Sequence, residues 1–320
     1  MPGRLRIALA GAGEFGREHL KRLAARADVE IAGIADTSDM HANSAAAEFG
    51  VARVEHDARE FTASNRPDGL IIATPGPTHV ALARAALESG IPVLVEKPVA
   101  MNAAEARQLA DVAAASSAFV LPGHVLRFSE HHRLLREIAH SDEIGPLLSF
   151  MSRRHRDDQH ALRYAGVDPV LMTMIHDIDL GLWMTGESAT EVFALRRPAG
   201  KTRSHTMEVA RGSGGVLWHL HAAWTFAGTE TPPDRVEIVG ERGSVELEAG
   251  RAIRQFGARA RTIDLATTPE DPLAMELDHF IACIRNGERP KAVTMEDACA
   301  GLAFAEAVLA SLKTGFMVRL

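Results

Sequence analysis

The sequence predicts an α/β protein in two parts: a doubly wound parallel sheet, then an α+β region with a large, mostly antiparallel open sheet. Three observations carry this. The first 121 residues alternate short apolar runs with helical segments, as parallel strands joined by crossover helices do. The first run leads into Gly11-Ala12-Gly13-Glu14-Phe15-Gly16, and the second ends on an acid, Asp36. Beyond Pro122 the pattern changes, and from Glu191 to about Asp264 it reads as successive β segments with turns.

In chain order, Arg4 to Ala10 is a short apolar strand, and a helix after the glycines carries Leu20, Leu23 and Ala24 on one face. Val29 to Ala35 is the second strand. Strand, G-x-G-x-x-G turn, helix, strand and acid in that order form a dinucleotide-binding fingerprint. Gly11 permits the tight turn, Gly13 lets backbone approach a pyrophosphate, and Gly16 lets helix and strand lie close. The helix N-terminus offers N–H groups and positive dipole to phosphates. Asp36, roughly 20 residues beyond the turn, can accept the ribose hydroxyls. Its charge repels a 2′-phosphate, and Thr37 and Ser38 bring no arginine, so NAD is expected and NADP is the lesser candidate.

A helix capped by Thr37 and Ser38 closes at Gly50. Asp68 to Thr74 is a strand covered on both faces. Pro75-Gly76-Pro77 breaks it, and a helix opens at Thr78-His79. Val93 to Val95 ends at Glu96-Lys97-Pro98, and a helix near 103–114 and a strand at 118–121 complete the first domain, residues 1–122. The second, 123–320, has a helix at about 130–140, a strand at 146–152 and a dense polar stretch, Arg153 to His160, read as a solvated loop in preference to a ligand site. A helix follows at about 168–184, then the β segments, then helices at about 272–286 and 295–312. Trp218 and Trp224 in one β segment suggest a buried face and an oligomer.

Length suits two domains. The formal charge of −7 argues against a nucleic-acid or membrane-surface role. No apolar run reaches a membrane span, and MPGRLRIALAG is no secretion signal. Cys283 and Cys299 read as core thiols of a cytoplasmic protein.

Lys97 ends a strand on the ligand edge, where its amine can stabilise oxyanion charge. His176 and Asp179, three apart on a helix, share a side, and a carboxylate-oriented histidine suits a general base near neutral pH. A structural His–Asp pair is the equal alternative. His219 and His221 share a strand face, but no further metal ligands are evident, so no metal is expected.

The segments GAGEFG (11–16), Asp36, ATPGPTH (73–79), GIPVLVEKP (90–98), GHVLRF (123–128), IHDIDLGLWMTG (175–186) and the closing AEAVLASLKTG together resemble the glucose–fructose oxidoreductase and inositol dehydrogenase family, Gfo/Idh/MocA. The resemblance implies an NAD(P)-binding Rossmann domain and a C-terminal domain whose sheet makes subunit contacts, hence a homodimer or homotetramer. It implies an NAD(P)-dependent dehydrogenase acting on CH–OH groups, with hydride transfer at a hydroxyl carbon of a sugar, cyclitol or related polyol. It matches Lys97 to the family lysine that positions substrate and cofactor, His176 to the proton acceptor, and Asp179 to an acid contacting substrate or the histidine. Cofactor contacts are expected at Gly11, Ala12, Gly13, Glu14, Phe15, Asp36, Thr37, Thr74, Pro75, His79, Glu96 and Lys97.

Substrate contacts are expected at Arg127, His155 and Asp179. A structural salt bridge competes at Arg127. Many relatives carry an aspartate four residues before the histidine, and here that position is Met172. Asp168, Asp179 or a substrate group replaces it, or the activity is weak or different. Asp168 lies roughly 12 Å along the helix, which favours Asp179. Two rival readings keep the fold: redox-neutral glycoside cleavage with tightly held NAD, and a non-catalytic dinucleotide sensor.

Overall fold

The computed structural model describes residues 3–164, 166–228, 230–267 and 269–320. The chain forms two compact units, residues 1–125 with 273–299, and 126–272 with 300–320.

In the first unit the strands are β1 (Leu5–Ala10), β2 (Val29–Ala35), β3 (Val54–Glu55), β4 (Gly69–Ile72), β5 (Val93–Glu96) and β6 (Val120–Gly123). They form a parallel sheet ordered β3-β2-β1-β4-β5-β6. The order reverses direction beside β1, so the carboxyl ends of β1 and β4 flank a crevice. The helices are α1 (Glu14–Ala24), α2 (Asp39–Phe49), α3 (Glu60–Ala63), α4 (His79–Glu88) and α5 (Ala103–Ala115). Local chemistry sets their ends. Ser38 caps α2 by accepting the His41 N–H, Gly50 ends it with φ +67°, and Asn102 caps α5 through the Glu105 N–H. Buried β4 and β5 are apolar throughout up to Glu96, as a sheet covered on both faces requires.

The second unit contains α6 (Glu130–Ala139), β7 (Leu147–Asp157), α7 (Asp158–Arg163), a π-helical turn (Val170–Met174) running into α8 (Ile175–Thr185), and β8 (Ala189–Pro198), β9 (Ser204–Gly212), β10 (Leu217–Phe226), β11 (Arg235–Gly240), β12 (Gly243–Glu248), β13 (Ala252–Gly257) and β14 (Arg261–Asp264). The chain continues through α9 (Pro272–Asn286), α10 (Met295–Thr314) and β15 (Val318–Arg319). The sheet has nine strands, β14-β13-β12-β11-β7-β10-β9-β8-β15, antiparallel except for β7 beside β10.

Period-2 alternation separates its faces. Trp218, Leu220, Ala222 and Trp224 are buried on one; the Trp218 ring meets Phe304 at 5.3 Å, and the Trp224 Nε1 donates to Thr173 Oγ1 at 2.9 Å. The tryptophan face is therefore this unit's own core, and not the oligomer surface that the sequence suggested. The opposite face leaves Met151, Leu195, Met207, Val209 and Leu217 exposed.

Two further expectations change. Arg153 to Asp157 is the end of β7 and not a solvated loop: β10 pairs along it, β11 pairs with Arg153, and Arg154 is buried against carboxylates. A single cut after residue 122 also fails to describe the two units, because α9 returns to the first. There Phe280 packs edge-on against Phe119 at 5.9 Å, and Ile284 and Phe280 cover Gly69. The short β3, α3, α7 and β15 carry too few residues for a periodic signal.

Candidate functional site

The first unit supplies a dinucleotide cradle. Gly11 has φ +93°, and a Cβ there would sit 2.5 Å from the Ala73 carbonyl oxygen. A Cβ on Gly16 would run into the Gly11 carbonyl. A Cβ on Gly13, by contrast, meets nothing within 4 Å. The protein thus needs Gly11 and Gly16 for its own packing and leaves open space over Gly13, at the start of α1, which no side chain caps. A pyrophosphate fits that space and the dipole beneath it.

Asp36 is set in advance. Its Oδ2 accepts the Ala12 N–H at 2.7 Å and its Oδ1 accepts the Ser38 N–H at 2.8 Å. Each oxygen keeps a lone pair for a ribose hydroxyl. Phe15 is exposed at the mouth, its ring edge-on to His19 at 5.4 Å. Thr74 follows β4, with its Oγ1 accepting from Thr78 at 2.7 Å, and Pro75 continues the extended chain.

Two expected cofactor contacts are corrected. His79 is buried, with Nδ1 facing the Pro98 carbonyl at 2.9 Å and Nε2 facing the Thr74 carbonyl at 2.7 Å. Both nitrogens tie the segments after β4 and β5 together, so neither is left for a ligand. Glu96 is also buried: its Oε1 meets His19 Nε2 at 2.8 Å and its Oε2 accepts the Lys97 N–H at 3.3 Å. It is a strut under half-buried Lys97. His19 and Glu276 were missed. Glu276 on α9 is fully buried, and neither carboxylate oxygen has a hydrogen-bond partner among the described residues. Burial first, then the Glu96 charge, pushes its carboxyl well above the ordinary glutamate range. A signal existed: Glu276 falls on the apolar stripe Leu273, Leu277, Phe280, where a glutamate is anomalous.

The second unit presents His176, half-buried, at the second position of α8 directly after the π turn. Three aspartates near it are each engaged by an arginine. Asp168 takes Arg196 through two bonds of 2.7 Å. Asp177, fully buried, accepts Arg154 Nε at 2.8 Å and the Ser152 hydroxyl. Asp179, 2% exposed, accepts Arg127 Nε at 3.0 and 3.1 Å and Nη2 at 2.7 Å. Arg127 and Asp179, expected against substrate, thus form a buried bidentate pair, the alternative weighed for Arg127. Asp168 anchors the turn through Arg196 and the Val170 N–H, and does not replace the carboxylate absent at Met172.

Beneath α8 the charges interlock. Arg154 also donates to Asp234 at 2.6 Å, and Arg156 joins it at 2.8 and 3.0 Å. Burial works to raise the Asp234 carboxyl, but Arg154 and Arg156 outweigh it and hold it low. Burial raises Asp177 against the pull of Arg154. Burial, then Arg154, pushes His132 down to about 3. Burial, then Asp177, lifts Glu208 well above its usual range.

His155 is a further correction. Its neighbour Arg154 reaches α8, so strand alternation turns His155 to the opposite face of the sheet. There it stacks on Phe226 at 4.8 Å. Cys283 and Cys299 are free, buried thiols, raised by that burial, which disfavours thiolate chemistry. Among the described residues no group of three or more His, Cys, Asp or Glu is placed to hold a metal, and no helix is long and apolar enough to cross a membrane.

A glycine cradle with a pre-set ribose acid, on a parallel sheet of this order, defines an NAD-binding Rossmann domain. The chain belongs to the Gfo/Idh/MocA family: residues 5–124 match its oxidoreductase, NAD-binding Rossmann fold model and 132–246 its C-terminal domain model. An inositol 2-dehydrogenase of Rubrobacter xylanophilus is 28% identical, covering 98% of this chain and 92% of that protein. The fold is shared with scyllo-inositol dehydrogenase of Lactobacillus casei, solved with NAD(H) and scyllo-inositol (TM-score 0.85, 19% identity, 99% of each chain). It is also shared with an oxidoreductase of Agrobacterium radiobacter, solved with NAD+, L-tartaric acid and magnesium (TM-score 0.89, 19% identity, 99% of this chain and 98% of that one).

Proposed function

We propose that this protein transfers hydride between NAD and a hydroxyl carbon of a polyhydroxylated small molecule, a cyclitol or sugar. The observation that carries the reading is the cradle itself, with Asp36 locked by two backbone N–H groups and open space above Gly13. The inositol 2-dehydrogenase relative supports the substrate class. NAD, when bound, supplies the hydride-accepting ring. His176 is the proton acceptor for the reacting hydroxyl, and the Lys97 ammonium is the group that stabilises oxyanion charge. Asp179 acts through Arg127 as an anchor for α8, three residues past the base. With methionine at 172, no second carboxylate one turn before His176 relays the proton, so it leaves His176 to water.

A homodimer or homotetramer through the open face of the nine-stranded sheet belongs to the same reading, supported by exposed Leu195, Met207, Val209 and Leu217. So does a cytoplasmic setting, supported by two free buried thiols. The test is NADH formation over a panel of cyclitols, sugars and sugar acids. Turnover is expected on at least one, falling by about 10²–10⁴-fold in Lys97→Ala and in His176→Ala. Turnover that survives both changes refutes the assignment.

A further inference from the structure

The open face of the nine-stranded sheet carries a cluster that the proposed reaction does not use. Arg153 and His155 alternate on β7, His221 sits on β10 directly across from Arg153, and His205 on β9 lies in the row of Ala223 and His155. All therefore project from one face. The His205 and His221 rings stack with centroids 4.3 Å apart and planes 6° apart, and the His155 ring meets His221 at 5.2 Å. Four nitrogens here are buried with no hydrogen-bond partner among the described residues: Arg153 Nε, His155 Nδ1, His205 Nε2 and His221 Nε2. Native structures leave few such groups without a reason. His155 itself is only 9% exposed.

The identity of the donors restricts the missing partner. A guanidinium can only donate, so whatever meets Arg153 must accept. A metal ion is repelled by Arg153, and the described residues offer no metal-holding group. We infer that Arg153, His155, His205 and His221 form a binding site for an anionic oxygen group, a carboxylate or phosphate, on the open face of this sheet. The surroundings fit an anion. Arg235 lies across β11 from Arg153, Arg197 across β8 from His205, and His219 along β10. The acids near the cluster are Asp157, which caps α7 by accepting the His160 N–H; Asp234, bound by Arg154 and Arg156; Glu237, opposite Met151; and Glu248 and Glu246, which pair with Arg235 at 3.1 and 3.9 Å, so Arg153 is the principal cation facing the site. Of the exposed apolar residues on this face, Val209 and Leu217 lie toward the other end of these strands, while Met207 and Leu195 continue the row of Arg153 and His221, so the anion site borders the apolar surface.

Burial first, then Arg153, lowers His155, and burial, then His205, brings His221 to about 4, so these two histidines favour their neutral forms. A bound anion favours their charged forms, so binding takes up protons and tightens as pH falls.

The experiment is calorimetric titration of the purified protein with sodium phosphate, sodium gluconate and, as neutral control, acetamide, at pH 8 and pH 6 and constant ionic strength. Saturable binding of phosphate or gluconate is expected, tighter at pH 6, and weakened about tenfold or more in Arg153→Met, as loss of a charge-assisted bond implies. Binding of phosphate alone assigns the ligand to inorganic or esterified phosphate; binding of gluconate alone assigns it to a carboxylate. His221→Asn gives a second variant should Arg153→Met fold poorly by its melting temperature, and the same weakening is expected. No anion binding at either pH overturns the inference, as does affinity unchanged in both variants, or variants that alter only the oligomeric state.

Discussion

Replacing Arg127 with methionine separates a structural role for that arginine from a substrate-binding one. Arg127 is 4% exposed and Asp179 2%, with contacts of 2.7 to 3.1 Å, so neither charge is shielded by water. Removing one member leaves the other charged in a poorly solvating site, which costs about 3–5 kcal/mol. For a unit of this size each kcal/mol corresponds to roughly 2–4 °C, so Arg127→Met should melt on the order of 10 °C lower. Asp179→Asn should cost a similar amount. The double variant, with no orphaned charge, should recover much of the loss, giving a coupling energy of about 1–3 kcal/mol. Thermal melts of the four proteins, with NADH formation measured on each at a temperature where all are folded, complete the cycle. A substrate contact predicts another result: unchanged melting, a raised KM in Arg127→Met, and additive singles. That outcome refutes the buried-pair reasoning.

Three further outcomes follow from the same geometry. Gly13→Val should fold normally, within about 0.5 kcal/mol of the parent, because a Cβ there meets nothing within 4 Å. Its NAD affinity should still fall at least about tenfold, about 1.4 kcal/mol, as read by calorimetry. His132 is held at about 3 when folded against an ordinary histidine value of 6.5, so the unfolded chain binds the extra proton between those values. Its stabilising contribution is complete above pH 6.5 and is lost as pH falls, about 2 kcal/mol of it between pH 7 and pH 5; His132→Gln should flatten that slope in urea melts. Glu276 has the opposite sign. Its raised carboxyl binds a proton that the unfolded chain releases above the ordinary glutamate range, so its contribution declines as pH rises. Glu276→Gln should remove that decline, and Glu276→Leu should raise stability by about 1–3 kcal/mol by deleting an unsatisfied buried group.

Much of the first unit was legible because its signals are local. Gly11, Gly13, Gly16 and Asp36 act through backbone geometry within a few residues, and Val29–Ala35 and His79–Glu88 coincide with the segments read from the sequence. The β segments from Glu191 to about Asp264 were also legible, from their alternation and the turns between them.

What the sequence by itself determined is the class: a chain whose glycines, acid and strand order prescribe a dinucleotide-binding sheet, followed by an open β-rich region. Only the tertiary structure decided which charged residues are partners. Arg127 and Asp179 lie 52 residues apart, Arg154 and Asp234 80 apart, and Glu96 and His19 77 apart. A guanidinium or carboxylate has the same formula whether it faces solvent, substrate or a buried counter-charge. Its role is fixed by the groups that folding brings within about 3 Å, and nothing in the sequence near either residue encodes that proximity.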